Sequence, residues 1–177
     1  FLRNLIKGAH KDEAEARRRR LTLLFISYVG GTIMAIMAGI NIDGDNPYLV
    51  TALAVSSAVI YLNLIISYIY PHTDFSYYVA GLIVVFTINA LVYTGGYNNT
   101  GLYFVYPLIF IQIIVVSFLP ALVYVAVTMM IAVFMLFNQD LIYAQYPEED
   151  VSRFLIAMAC FICVAFIAEN FWHQSRK

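Results

Sequence analysis

The 177 residues of this chain are 62% hydrophobic and only 12% charged, and their mean hydropathy is +0.79. Because a soluble domain has roughly 45–50% apolar and about 25% charged residues, this composition excludes an ordinary water-soluble enzyme and indicates a membrane protein. Six spans of ~20 residues with short connections use about 140–160 residues, which leaves no room for a soluble catalytic domain. The net charge of -1 conceals basic and acidic residues that lie in different parts of the chain.

Residues 1–20 are predicted to form a short amphipathic cytoplasmic helix. One face of its first turns is apolar and carries Phe1, Leu2, Leu5 and Ile6. The segment ends in four arginines, Arg17 to Arg20, and each is worth about 1 kcal/mol of attraction to an anionic leaflet. No small-residue cleavage site follows a short apolar core, so we expect the segment to remain in the mature protein.

Six apolar segments follow, separated by polar, turn-rich loops, and each is predicted to be a transmembrane helix. They comprise residues 21–40, 48–70, 75–93, 102–119, 121–137 and 151–173. Pro120 is expected to hinge the fourth and fifth spans into an antiparallel hairpin. The predicted fold is an all-α, polytopic membrane protein in which residues 21–173 form one six-span domain and residues 174–177 begin a cytoplasmic signalling helix.

The distribution of charge predicts the orientation. All basic residues except Arg153 lie near the two ends of the chain, which places both termini in the cytoplasm. The loops after the first, third and fifth spans then face outward. These loops carry Asp43, Asp45, Asp140, Glu148, Glu149 and Asp150.

Few residues in the spans are suited to chemistry. The histidines His10, His72 and His173 do not have the spacing of metal ligands, and no nucleophile elbow, zinc-protease motif or phosphate loop occurs. We therefore expect no metal, no cofactor and no enzymatic activity in this segment. Glu169, the one acidic residue inside a predicted span, is either an interfacial anchor or part of a conformational or ligand site. Asn63, Asn89 and Gln112 are expected to form interhelical hydrogen bonds.

Aromatic and polar residues concentrate around the loop after the third span. The predicted ligand-binding residues are Tyr93, Tyr97, Asn98, Tyr103, Tyr106 and Pro107. Tyrosine rings supply contact area and their hydroxyls orient a ligand, while a proline inside a helix leaves a carbonyl free to accept a hydrogen bond. The alternative is an interfacial aromatic girdle without a ligand.

The first span carries Gly31, Ala35 and Gly39 at a spacing of four residues. Small residues at this spacing allow a second helix to approach closely. The stripe therefore predicts a helix-packing contact, either inside the bundle or across a homodimer.

One stretch carries a family resemblance. The pattern Thr94-Gly95-Gly96, then Thr100-Gly101-Leu102-Tyr103, then Tyr106-Pro107 resembles the multi-span, MASE-like membrane sensor domains that precede GGDEF diguanylate cyclases and some histidine kinases in bacteria. Tyr103 stands where that pattern has tryptophan. The resemblance implies a location in the bacterial inner membrane, a homodimer and a cytoplasmic output domain.

The resulting hypothesis is a membrane sensor domain that binds a small or lipid-like ligand and passes a helix rearrangement to a cytoplasmic output domain, a diguanylate cyclase. Membrane lipids are its expected surroundings, and no nucleic-acid partner is expected. The alternatives are the sensor of a histidine kinase, a small membrane carrier or channel, and a structural membrane scaffold. A carrier would need polar residues that face a pore and preferably two repeated halves, and the sequence has neither.

Overall fold

A computed structural model describes the backbone of residues 2–70, 75–116 and 118–174. Side chains are described for residue 17, for residues 20–70, 75–97, 99–116 and 120–168, and for residue 171. The described chain is all-helical, as predicted. Its helices are α1 (Leu2–Ile40), α2 (Pro47–Ile69), α3 (Phe75–Thr94), α4 (Gly101–Val115), α5 (Phe118–Phe137) and α6 (Glu148–Gln174), with short 3₁₀ helices at Tyr97–Asn99 and Gln139–Leu141.

Five of the described helices are long and apolar enough to cross a membrane. Their candidate spans are Arg20–Ile40, Pro47–Ile69, Phe75–Thr94, Pro120–Phe137 and Glu148–Ala168. The general prediction of an all-helical membrane protein is therefore confirmed. The sixth predicted span corresponds to α4, which has 15 residues and is about 22 Å long, whereas the hydrocarbon core is about 30 Å thick.

The boundary between the fourth and fifth predicted spans was placed wrongly. The helix α4 ends at Val115, and Val116 leaves the helical conformation with φ -93° and ψ 147°. Pro120 does not hinge two helices but lies in the first turn of α5, where a backbone N–H has no partner inside the helix to lose.

The predicted cytoplasmic lead-in and the first span form one continuous helix of 39 residues. The amphipathic face predicted for Phe1, Leu2, Leu5 and Ile6 lies outside the described side chains. Its backbone from Leu2 onward is helical.

The helix α2 illustrates how the bundle is adapted to lipid. Its buried stripe has helical spacing and includes Leu49, Leu53, Ser56, Ile60, Asn63 and Ser67. Leu62, Ile65 and Tyr68 point outward and are 56–79% exposed. The polar residues of α2 thus face neighbouring helices together with Leu49, Leu53 and Ile60, while its outward face is apolar, which is the arrangement expected in a bilayer.

The helix α4 lies at the centre of the bundle. Val105 and Ile109 on this helix have no exposed surface, and α4 packs against α1, α3, α5 and α6. The contact with α6 is aromatic, because the ring of Tyr106 lies 5.7 Å from the rings of both Phe154 and Phe161.

In the predicted packing stripe on α1, Gly31 lies in a helix contact. Ser57 Oγ on α2 donates a hydrogen bond of 2.8 Å to the oxygen of Gly31, and a Cβ added there would lie 3.1 Å from Ile60. Ala35 and Gly39 are exposed. Four residues turn a helix about 40° beyond a full turn, so the stripe winds away from α2. The homodimer face stays a prediction.

Candidate functional site

Three loops meet at one end of the bundle, which we call the three-loop end. They are residues 41–46, 95–100 and 138–147. The first loop is joined to α3 by the side chain of Asn46, which donates to the oxygen of Thr94. The first and third loops are joined where the Tyr143 hydroxyl donates to the oxygen of Asp45 at 3.2 Å. The contact of the three loops at one end of the bundle agrees with their predicted placement on one side of the membrane.

The third loop is also fastened to α3. The backbone N–H groups of Tyr143 and Ala144 both donate to the oxygen of Tyr93 at 3.1 Å. The Tyr146 hydroxyl donates to the oxygen of Val92 at 2.9 Å, and burial raises the pKa of this hydroxyl above its ordinary value. The loop that precedes α6 therefore has a fixed position relative to α3.

The second loop turns sharply at two glycines. Gly95 and Gly96 have φ angles of +79° and +65°, which side chains with a Cβ rarely adopt. The turn brings the N–H of Gly101 within 2.8 Å of the oxygen of Gly95. A Cβ on Gly101 would lie only 2.5 Å from the oxygen of Leu91, so the first residue of α4 must remain small.

A cavity of about 570 Å³ opens at the three-loop end. It is lined by Asn41, Gly44, Asp45, Asn46, Leu49, Thr94, Gly96, Tyr97, Asn99, Tyr143, Ala144 and Gln145. All three loops contribute, and most of the lining groups are amides, hydroxyls and backbone atoms. The volume lies in the range of small-molecule sites, about 300–1,000 Å³.

The predicted ligand-binding residues are only partly brought together here. Tyr97 lines the cavity. Tyr93 lies beside it in an aromatic group, since the ring of Tyr48 is 6.2 Å from that of Tyr93 and 5.5 Å from that of Tyr143. The side chain of Asn98 lies outside the described residues.

The remaining three predicted residues do not line this cavity. Tyr103 on α4 is 72% exposed, and Pro107 is exposed as well. Tyr106 is partly buried and packs against α6 through Phe154 and Phe161. The side chain of Glu169, whose role the sequence left open, lies outside the described residues.

Sequence reasoning missed the contributions of the first and third loops. Asn41, Asp45 and Asn46 come from the first loop, and Tyr143 and Gln145 from the third. A signal was present, because the predicted topology already placed these loops on one side of the membrane. Which residues of each loop meet depends on tertiary contacts that sequence spacing does not reveal.

The chemistry of the lining suits a small molecule that carries polar groups. Asp45 is the only ionisable acid or base among the lining residues other than the two tyrosines. The amides of Asn41, Asn46, Asn99 and Gln145 offer both donors and acceptors. A ligand with hydroxyl or amine donors near Asp45 would find matching acceptors there.

The buried amides in the helices serve the bundle. Asn63 Nδ2 donates to the oxygen of Ser76 at 3.0 Å and joins α2 to α3, while Gln112 Nε2 donates to the oxygen of Gly81 at 3.2 Å and joins α4 to α3. Asn89 instead donates to Val85 on its own helix.

Comparisons with protein-family models, with curated proteins and with solved structures find no match to this chain.

Proposed function

We propose that this chain is the membrane sensor domain of a bacterial signal-transduction protein. In this proposal the cavity at the three-loop end binds a small or lipid-like ligand, and α6 carries the resulting rearrangement to a cytoplasmic output domain, a diguanylate cyclase. One observation carries the proposal: Tyr143, Ala144 and Gln145 line the cavity, and α6 begins only three residues later, at Glu148.

The segment between the cavity and α6 is short, and hydrogen bonds within the third loop hold it in place. Gln139 Nε2 donates to the oxygen of Tyr146 at 3.0 Å, and the N–H of Tyr146 donates to Gln139 Oε1 at 2.7 Å. Because these bonds hold the third loop in one shape, a displacement at Tyr143 would be transmitted to the start of α6 instead of being absorbed.

The proposal includes a six-span topology with both termini in the cytoplasm, in the bacterial inner membrane. The helices α4 and α5 form a hairpin that begins and ends at the three-loop end. The two chain termini therefore lie on the same side of the membrane whether or not the short α4 crosses the whole bilayer. The three loops at this end contain no Lys or Arg, whereas Arg17 to Arg20 precede the first span, and this difference supports the outward orientation of the three-loop end. A homodimer in which two copies of α6 continue into a signalling helix completes the proposal.

Trp172 provides an intrinsic test of this function. It is the only tryptophan in the chain and lies near the end of α6 opposite the cavity. The whole chain in lipid nanodiscs would be titrated with fractions of an organic extract of spent bacterial culture medium. We expect one fraction to shift the Trp172 emission in the wild type and not in Tyr97→Ala.

Tyr103→Ala is the matched control, because Tyr103 is another exposed tyrosine that does not line the cavity. It should respond like the wild type. Equal responses of Tyr97→Ala and Tyr103→Ala, or the absence of any active fraction, would overturn the proposed site. Joining the chain after Lys177 to a diguanylate cyclase domain and measuring cyclic di-GMP in cells tests the assignment of the output.

A further inference from the structure

A second cavity lies between the helices, in the half of the bundle away from the three-loop end. It has a volume of about 50 Å³ and is formed where α1, α2, α3 and α4 meet. Ala80 and Gly81 of α3 and Val115 and Val116 at the end of α4 belong to its walls. Val115 is also the last residue of α4.

Two amide side chains from different helices line this cavity. Asn63 on α2 is 2% exposed and Gln112 on α4 is 1% exposed. The nitrogens of these amides donate to backbone oxygens of α3, at Ser76 and Gly81 respectively. Because a backbone oxygen can only accept, each amide has one possible orientation and its oxygen is directed away from that bond.

Both amide oxygens are buried acceptors without a hydrogen-bond partner. Within the described part of the chain, neither Asn63 Oδ1 nor Gln112 Oε1 is paired. A buried acceptor without a donor is unfavourable, and in the hydrocarbon region no surrounding solvent can compensate for it. Asn63 and Gln112 both line this cavity, and the lack of a partner for each of their oxygens favours a bound molecule that donates hydrogen bonds.

The other walls define the chemical nature of that molecule. None of the described residues that line the cavity is ionisable, and most of them are aliphatic, including Leu23, Ile60 and Leu108. A charged ligand is therefore disfavoured. A water-sized group needs about 10–15 Å³, so the volume admits a hydroxyl and the first carbons of a chain.

The side formed by α1 gives access. Gly30 lines the cavity, and a Cβ added at Gly30 would meet no atom within 4 Å. Since α1 packs chiefly on α2, the space beside Gly30 lets a hydrocarbon chain extend from the cavity into the lipid.

We propose that this cavity binds the hydroxyl end of an uncharged aliphatic alcohol that enters from the lipid phase. The hydroxyl donates to Gln112 Oε1 or Asn63 Oδ1, and the hydrocarbon chain leaves past Gly30. This site is separate from the cavity at the three-loop end and does not depend on the signalling function proposed for it.

Photolabelling of the whole chain in lipid nanodiscs tests the proposal. The probe is a diazirine derivative of 1-octanol, and the labelled peptides are identified by mass spectrometry. We expect labelling of residues in the cavity walls. Unlabelled 1-octanol should compete at least about fivefold better than its methyl ether, which keeps the chain but has no hydroxyl to donate.

Two variants of α1 form a matched pair. Gly30→Leu fills the cavity entrance and should reduce labelling at least about tenfold. Gly39→Leu adds the same side chain to the same helix at a position that also has open space but does not line the cavity, so labelling should stay at the wild-type level.

Gln112→Met keeps the length of the side chain but removes one acceptor, and it should reduce the preference for the alcohol over the ether. Thermal unfolding in the same nanodiscs checks that each variant is folded. If Gln112→Met does not fold, the comparison of Gly30→Leu with Gly39→Leu tests the proposal without it. Equal labelling of the wild type and Gly30→Leu, or equal competition by alcohol and ether, would mean that the probe only partitions into lipid and would overturn the proposal.

Discussion

The side chain of Asn46 joins two parts of the chain that are 48 residues apart, because its Nδ2 donates a hydrogen bond of 2.8 Å to the oxygen of Thr94. Its Oδ1 accepts from the N–H of Leu49 at 3.1 Å and caps α2. One amide thus fixes the start of α2 and holds the first loop against the end of α3. Asn46 and Thr94 both line the cavity at the three-loop end.

Replacing Asn46 separates these two roles. Asn46→Ala removes both the cap and the bond to Thr94, and we expect it to lower the free energy of unfolding by about 1–2 kcal/mol. Asn46→Ser keeps a capping oxygen but is too short to reach Thr94, so its loss should be about half as large. Thermal unfolding in detergent measures both variants, and equal losses would show that the cap contributes nothing.

Gly101→Ala tests the close approach of α3 and α4. The added Cβ would lie 2.5 Å from the oxygen of Leu91 and 2.9 Å from the carbonyl carbon of Gly95, and both are backbone atoms that cannot rotate aside. We expect α4 to shift and the melting temperature to fall by several degrees, for a loss of about 1–3 kcal/mol.

Gly30→Ala is the control for Gly101→Ala. An added Cβ at Gly30 meets no atom within 4 Å, and alanine favours a helix over glycine by about 0.8–1.0 kcal/mol. The melting temperature should therefore stay the same or rise. A fall as large as that of Gly101→Ala would contradict the steric explanation.

The pair Gly31→Leu and Ala35→Leu tests which part of the small-residue stripe is a contact inside the bundle. Leucine at Gly31 would collide with Ile60 and Tyr61, which lie 3.1 and 3.4 Å from an added Cβ, and should separate α1 from α2. Ala35 is exposed, so leucine there should leave the monomer stable. Size-exclusion chromatography with light scattering would show whether Ala35→Leu changes the oligomeric state, as the homodimer prediction requires.

The helices were predictable because apolar runs of about 20 residues and polar loops are local properties of the sequence. The end of α4 was not. Residues 111–116 contain one polar residue, Gln112, and only Ser117 separates them from the apolar Phe118 and Leu119, so hydropathy gives no strong signal for a break at Val116. The last turn of α4 packs in one buried cluster with Leu23 and Ala121, a tertiary contact that hydropathy does not reveal.

The candidate site was predicted in part for a similar reason. Tyr103 and Tyr106 are close to the second loop in sequence, which suggested a shared pocket. Val105 is fully buried, and Tyr103, two residues earlier, lies about 200° around the helix and faces away from the core. The cavity is instead completed by Asp45 and Tyr143, which are brought close by contacts between loops that sequence distance does not predict.

Tyr146 offers a prediction that combines stability with pH. Its hydroxyl is buried and donates to the oxygen of Val92, and burial raises the pKa of that hydroxyl above the value of about 10 for an unfolded chain. Tyr146→Phe should lower the free energy of unfolding by about 0.5–1.5 kcal/mol at neutral pH, because the oxygen of Val92 loses a donor.

The pH dependence of this contribution follows from linkage. A group whose pKa is raised in the folded state makes its full contribution to the free energy of unfolding at pH values below the pKa of the unfolded chain. This contribution is lost as the pH rises above about 10, by up to about 1.4 kcal/mol per pH unit. We therefore expect the difference in stability between the wild type and Tyr146→Phe to shrink between pH 9 and pH 11. Chemical unfolding in detergent across this pH range is the measurement, and parallel curves for the wild type and Tyr146→Phe would show that the Tyr146 hydroxyl ionises as readily in the folded protein as in the unfolded chain.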